Sequence, residues 1–169
     1  MKDTFQMFAA YNRWANRAVY AAAGDLTIEE LNSNRGAFFG SMLATLNHLL
    51  VADRVWMKRF TGTGEAPRAL DTVLHADLVG LATAREAEDE RILSWIDGLT
   101  EERIAANFSY TPLTNPNPVT QKLGSALSHL FNHQTHHRGQ SHMILTSLGK
   151  PSLSLDLIYF QRLEGRQWL

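Results

Sequence analysis

Hydrophobic residues recur every three or four positions in four long segments of the chain, a spacing that places side chains on one face of an α-helix. Glycine and proline mark where these segments stop, because both residue types end helices. We therefore predict four principal helices. The first ends near Gly24, the second begins near Ser41 and ends at the loop TGTGEAP, the third runs from Leu74 to Leu99, and the fourth ends at Gly149.

Two shorter pieces are predicted between the principal helices. Thr27 followed by Glu30 has the spacing of a capping box, which predicts one or two helical turns. Residues 105–121 contain three of the five prolines and alternate hydrophobic residues around TNPNP, which predicts a small hairpin or an extended excursion. The tail after Pro151 is hydrophobic enough to pack on the rest of the chain.

These elements predict an all-α protein: a four-helix bundle with up-down-down-up topology, a long connection, and a short extended excursion before the last bundle helix. A length of 169 residues with 44% hydrophobic content suits a single domain, residues 1–169, with a sizeable core. Apolar helix faces in bundles often pair about a two-fold axis. Because helices one to three are rich in Trp and Phe, we expect a homodimer.

Charge and cysteine content exclude several classes of function. The formal net charge is -1, the pI is near 6.6, and no block of Lys and Arg occurs, so neither nucleic acid nor a membrane surface is an expected partner. The absence of cysteine removes disulfides, thiolate ligands and a cysteine nucleophile. No signal peptide or spanning segment is recognisable, which predicts a cytoplasmic protein.

Four of the seven histidines lie in one segment of the fourth helix, LSHLFNHQTHHRGQ. At about 100° per residue, His129, His133, His136 and His137 fall within an arc of roughly 100° on an α-helix. Their imidazoles therefore point in a common direction, whereas His142 falls on the far side and is predicted to be structural.

Histidines four residues apart lie one helical turn above each other and can bind one metal ion. Two pairs have this spacing, His129 with His133 and His133 with His137, and spacing alone does not rank them. A helix rarely supplies more than two ligands, so a third must come from elsewhere, and His48 in the second helix is the obvious donor. Without a cation, such a cluster would leave polar nitrogens unsatisfied, so we predict a divalent metal ion.

Other polar residues are candidates for supporting roles, although no catalytic residue can be assigned. Arg138 and Gln140 could orient a ligand or substrate, or make an ion pair or a helix contact. Asp53 and Asp156 are the nearest acidic candidates for a base or for support of a ligand, and each could equally be a cap or a surface partner. His75 is predicted to face water.

The fourth helix reads His129-x3-His133-x3-His137-Arg-Gly-Gln, and the second carries His48 in TLNHLLVADRVW. With these motifs the chain resembles the DinB/YfiT-like family of four-helix-bundle metalloproteins. The N-terminal YNRWAN, the entry to the second helix at Ser41 and the final GKPSLSLDL extend the resemblance over nearly the whole chain.

The resemblance implies a three-histidine site that holds zinc or nickel in many members. Carried over by position, its ligands are His48, His133 and His137, with His129 adjacent to the ion. Some relatives are thiol-dependent transferases or isomerases and others are regarded as hydrolases, so a small-molecule substrate is implied. Because the chain has no cysteine, a reacting thiol would be a low-molecular-weight cofactor.

Two functions fit these observations. The first is a metal-dependent hydrolase or thiol transferase in which an open coordination position lets the ion activate water or a thiol. The second is a non-catalytic, stress-associated metal-binding bundle, which a fourth protein ligand would favour. The chain has no HExxH, no G-x-S-x-G and no glycine-rich phosphate loop, which disfavours zinc proteases of that type, serine esterases and nucleotide hydrolases.

Overall fold

The structure is a computed structural model that describes residues 1–113 and 115–169. Seven helices, a two-stranded sheet and a final 3₁₀ turn follow one another in these residues. In chain order they are α1 (Lys2–Gly24), α2 (Ile28–Asn32), α3 (Met42–Thr61), α4 (Leu78–Asp97), α5 (Glu101–Ala105), β1 (Asn107–Tyr110), β2 (Val119–Lys122), α6 (Leu123–Ser147), α7 (Leu157–Leu163) and the 3₁₀ turn Arg166–Trp168.

The described residues are mostly helical, as the sequence predicts, and they add one small two-stranded sheet to the helices. The four long helices α1, α3, α4 and α6 coincide with the four predicted segments. The third begins at Leu78 instead of Leu74, because the Asp77 side chain accepts a hydrogen bond from the Gly80 N–H and caps the helix there. The Thr27–Glu30 capping box at α2 is confirmed.

The predicted hairpin before the last long helix is present. Strands β1 and β2 pair antiparallel, with Phe108 opposite Gln121 and Tyr110 opposite Val119. The connection between them includes residue 114, which lies outside the described residues. Phe108 is buried against the hydrophobic core, so the hairpin is fixed to the helices.

Each long helix packs against two of the others. Helix α1 contacts α4 and α6, and α3 contacts the same two helices. Their apolar faces form two buried clusters, one around Met57, Ile92 and Leu127 and the other around Leu46 and Leu81. This packing places one face of α3 directly against one face of α6, and the predicted metal-binding histidines lie on those two helices. No helix in the described part of the chain has an apolar stretch long enough to cross a membrane.

A buried polar network also crosses the interior and joins all four long helices. Asp53 on α3 pairs with Arg85 on α4 at 2.7 Å, and Arg85 pairs with Asp89 at 3.1 Å. The Asn16 amide on α1 donates to Asp89 at 3.0 Å, and Gln134 on α6 donates to Asp53. Burial raises the pKa of Asp53 to about 6, against the lowering effect of the Arg85 charge.

Candidate metal centre

Three histidines from two helices meet at one point. His48 of α3 and His133 and His137 of α6 each offer a ring nitrogen, and these nitrogens all lie within 4.8 Å of one another. The Nε2 atoms of His48 and His133 are 3.2 Å apart. The imidazole rings of His48 and His137 are 4.5 Å apart between centroids, as are those of His133 and His137. The structure therefore brings together the three residues that the sequence nominates as ligands.

Local helix geometry explains why these rings converge. His133 and His137 are one turn apart on α6, so their side chains leave the same face of that helix. His48 leaves the buried face of α3 that packs against α6, where it is 3% exposed. His137 is 7% exposed and His133 is half-buried, so the group lies just below the surface.

Hydrogen bonds on the outer nitrogens determine which nitrogens face the centre. The Nδ1–H of His48 donates to the Leu70 carbonyl at 2.9 Å, and the Nδ1–H of His137 donates to the Gln140 side-chain oxygen at 3.0 Å. In a neutral imidazole the other nitrogen then carries a lone pair. Both Nε2 atoms are therefore available to a metal ion, in the arrangement that ligating histidines usually show.

Burial also keeps the three imidazoles neutral. It lowers the pKa of His48 to about 4 and that of His133 to about 3, and the neighbouring imidazoles act in the same direction on both. The pKa of His137 is lowered as well, again chiefly by burial. At neutral pH a cation would thus find lone pairs without displacing protons.

The donor set fits a divalent ion such as zinc. Two nitrogens bound to tetrahedral zinc at 2.0–2.1 Å lie about 3.3 Å apart, close to the 3.2 Å between the Nε2 atoms of His48 and His133. Without a cation, the Nε2–H of His133 can donate to the Nε2 lone pair of His48 at this distance. The buried Nδ1 of His133 has no hydrogen-bond partner among the described residues, so the protein leaves that imidazole incompletely satisfied.

Two loops cover His48, and the sequence does not predict the contact of either loop with this residue. The Phe39 ring stacks on the His48 ring with centroids 3.8 Å apart, and it also lies 5.6 Å from that of His137. Gly36 and Gly40, with φ of 78° and 81°, form the turn that presents Phe39. An aromatic residue between two glycines is the one signal that could have drawn attention to this loop.

The second covering element is the connection between α3 and α4, which presents the Leu70 carbonyl to His48. Asn47, the residue before His48, fixes the end of this connection. Its side-chain oxygen accepts from the N–H groups of Leu74 and His75 at 2.8 and 3.1 Å, and its amide donates to the His75 carbonyl at 3.0 Å. Because every residue has a backbone carbonyl, no sequence pattern distinguishes the carbonyl of Leu70, and this contact could not be predicted from the sequence.

The remaining histidines stand outside the three-histidine group. His129 is exposed, and its ring centroid is 5.7 Å from that of His133 and 5.1 Å from that of Trp56. Its ring nitrogens do not belong to the three-histidine group. His136 is exposed and accepts a hydrogen bond from the Gln140 amide at 3.3 Å. His142 holds the tail by accepting from the Leu153 N–H at 3.1 Å. His75, predicted to face water, is half-buried.

The structure places three further candidates away from the histidines. Asp53 is fully buried against Arg85 and Gln134, so it is neither a fourth ligand nor a base for the site. Arg138 points to α1 instead, where it donates to Asn12, which makes it a helix contact. Asp156 is exposed at the start of α7 and its side chain makes no capping hydrogen bond there. Of the supporting residues that the sequence nominates, Gln140 contacts a histidine of the group.

A cavity of about 280 Å³ opens beside His133. It is bounded by α3, α6, the first strand and the residues that follow it, and by the Leu70 connection. Most of its wall is apolar or aromatic, and no acidic residue lines it among the described residues. Its principal lining residues are Val55, Trp56, Arg59, Tyr110, His129 and His133.

Gln140 is expected to tune metal affinity through His137. Replacing it by leucine removes the acceptor that fixes the His137 ring, so zinc affinity should fall roughly 10–100-fold. Competition with a chelating dye measures this change. Asn132→Leu, at an exposed amide on the same helix, is the matched control and should leave the affinity unchanged. Equal affinities of the Gln140→Leu variant and the wild type would contradict the role of Gln140.

The chain is similar to known proteins over almost its whole length. The family model described as DinB family matches residues 1–168. Protein DinB of Bacillus subtilis (strain 168) is 24% identical over 171 residues, and the alignment covers 92% of each chain. The match therefore extends over all four long helices, including both that carry the three histidines.

Proposed function

The chain belongs to the DinB family, and from this premise we propose that it is a metal-dependent enzyme. In this proposal His48, His133 and His137 hold a divalent ion, zinc or nickel, at a site that acts on water or on a small-molecule thiol. The reaction is then hydrolysis or thiol transfer to a small-molecule substrate. The observation that carries the proposal is the convergence of three neutral imidazole nitrogens beside a cavity.

In this proposal each residue around the site has a distinct role. The Leu70 carbonyl and the Gln140 oxygen hold His48 and His137 with their Nε2 atoms toward the centre. Phe39 stacks on the His48 ring and shields that ring from water. On the other side the cavity beside His133 gives a substrate access, and its apolar wall favours an organic molecule over water.

A bound divalent ion supplies a Lewis acid that lowers the pKa of a water or thiol and polarises a substrate carbonyl. Three protein ligands suit this role, because catalytic sites keep a coordination position open. The described residues place no fourth His, Asp or Glu with these three histidines. This favours catalysis over the alternative, a non-catalytic metal-binding, stress-associated protein, which would close the site with another protein ligand.

We also propose that residues 1–169 form one domain and that its four long helices make a four-helix bundle with up-down-down-up topology. The mutual packing of α1 and α3 with α4 and α6 supports this arrangement. The homodimer, the cytoplasmic location and the absence of nucleic-acid and membrane partners stay predictions of the sequence.

The test compares zinc-loaded, nickel-loaded and chelator-treated protein with a His133→Ala variant. Hydrolysis is assayed with para-nitrophenyl acetate, and thiol transfer with chlorodinitrobenzene and cysteine or glutathione. We expect a metal-dependent rate above background that His133→Ala reduces to background, because one of three ligands is lost. His142→Ala, a histidine that anchors the tail, should keep the rate. Rates at background for the metal-loaded wild type in both assays would overturn the proposal.

A further inference from the structure

Arg59 on α3 carries a positive charge beside the cavity without an acidic partner. None of the carboxylates in the described part of the chain lies within 4.0 Å of its guanidinium. The side chain is half-buried, and this burial lowers its pKa. A half-buried cation without a counter-charge carries a desolvation cost, which an anionic ligand would offset.

Aromatic rings hold the Arg59 guanidinium in place. Its central carbon lies 4.7 Å from the Trp56 ring centroid and 4.8 Å from that of Tyr110, within cation–π distance of both. One Nη donates to the Thr111 carbonyl at 3.3 Å. A guanidinium has five N–H donors, so most of the fork has no partner among the described residues and is already oriented.

The charges around the Arg59 guanidinium favour an anionic ligand over a cationic one. The cavity that Arg59 lines also reaches His133 and His129, and none of its described lining residues is acidic. A cationic ligand would therefore meet repulsion, whereas an anionic group would find a fixed, partly desolvated arginine.

The size and wall of the cavity define the rest of the ligand. Its volume of about 280 Å³ is just below the usual range of small-molecule sites, about 300–1,000 Å³, so it suits a small ligand. Val55, Trp56, Leu113 and Pro112 give it a mostly apolar wall, which would contact the hydrocarbon part of a ligand. The three-histidine group lies at the side where His133 contributes to the lining.

We propose that this cavity is the substrate site and that it selects small molecules with an apolar body and an anionic end group, which Arg59 binds. The apolar body lies against Trp56 and Tyr110, and the opposite end of the molecule points toward His133. This inference rests on the proposed function for what happens at the histidines. The binding of the anion by Arg59 does not depend on the metal, so the two can fail separately.

The test uses hydrocinnamate and its neutral amide, which share shape and differ in charge. Isothermal titration calorimetry measures both with zinc-loaded and with chelator-treated full-length protein. We expect the carboxylate to bind at least about tenfold more tightly than the amide in both preparations, because a charge-assisted hydrogen bond adds to the same apolar contact. Arg59→Gln should remove this preference, and Arg59→Lys should retain part of it.

Arg54→Gln is the matched control, because it removes the same charge from the same helix at a residue outside the cavity. It should bind both probes as the wild type does, and thermal melts check that each variant is folded. Equal binding of the two probes by the wild type, or no detectable binding of the carboxylate, would overturn the inference. A preference that survives Arg59→Gln and disappears with the chelator would also overturn it, because the metal would then be binding the carboxylate.

Discussion

Zinc affinity is expected to fall at least about 100-fold when His48, His133 or His137 is replaced by alanine. Loss of a residue that merely orients a ligand typically costs 10–100-fold, and loss of a ligand should cost more. The three nitrogens lie within 4.8 Å of one another, so each variant leaves only two donors at the centre. Elemental analysis after gel filtration gives the stoichiometry, and competition with a chelating dye gives the affinity.

His129→Ala is the matched control for these variants. It removes an imidazole from the same face of α6, one turn before His133, and it should leave zinc affinity within about threefold of the wild type, since His129 neither ligates nor orients a ligand. This control separates the two pairs of histidines that the spacing of the sequence leaves unranked. An equal loss in His129→Ala and His137→Ala would contradict the assignment of the site.

Replacing Asp53 by alanine is expected to destabilise the protein by about 3–5 kcal/mol, because it leaves the buried Arg85 without its closest carboxylate. That is a large part of the free energy of unfolding of a typical domain, about 5–15 kcal/mol. Urea unfolding at pH 8 measures the change. At this pH the Asp53 carboxylate, whose pKa is about 6, is ionised in the folded wild type.

Glu90→Ala provides the comparison for Asp53→Ala. Glu90 pairs with Arg13 at 2.7 Å, but its side chain is 64% exposed, so losing this pair should cost at most about 1 kcal/mol. Asp53→Asn, which removes the charge and keeps the shape, should fall between the two. Equal losses in the free energy of unfolding for Asp53→Ala and Glu90→Ala would contradict the prediction that the buried network stabilises the fold more than the exposed pair does.

Features set by neighbouring residues could be predicted from the sequence. The Thr27–Glu30 capping box and the positions of the four long helices depend on contacts within a few residues, which repeat with the helical period. The common face of His133 and His137 follows from the same period. Hydrophobic spacing predicts the start of α4 at Leu74, four residues too early, because it does not reveal that Asp77 caps the helix.

Features set by contacts between distant segments could not be predicted in this way. Asp53 is 32 positions from Arg85 in the chain, and their pairing depends on how α3 packs against α4. The sequence leaves Asp53 open as a base, a support for a ligand, a cap or a surface partner, whereas the structure pairs it with Arg85 in the interior. The Leu70 carbonyl and the Phe39 ring reach His48 through loops, whose paths no hydrophobic period describes.

By itself, the sequence determined that the chain forms four long helices and that one of them presents several imidazoles on a single face. It also identified the family to which the chain belongs. The family resemblance nominated His48, His133 and His137, and the tertiary structure showed that these three residues meet. The tertiary structure alone placed Arg59 beside the cavity next to them. The physical reason is that helix periodicity is a local property, whereas the meeting of side chains depends on which helix faces pack together.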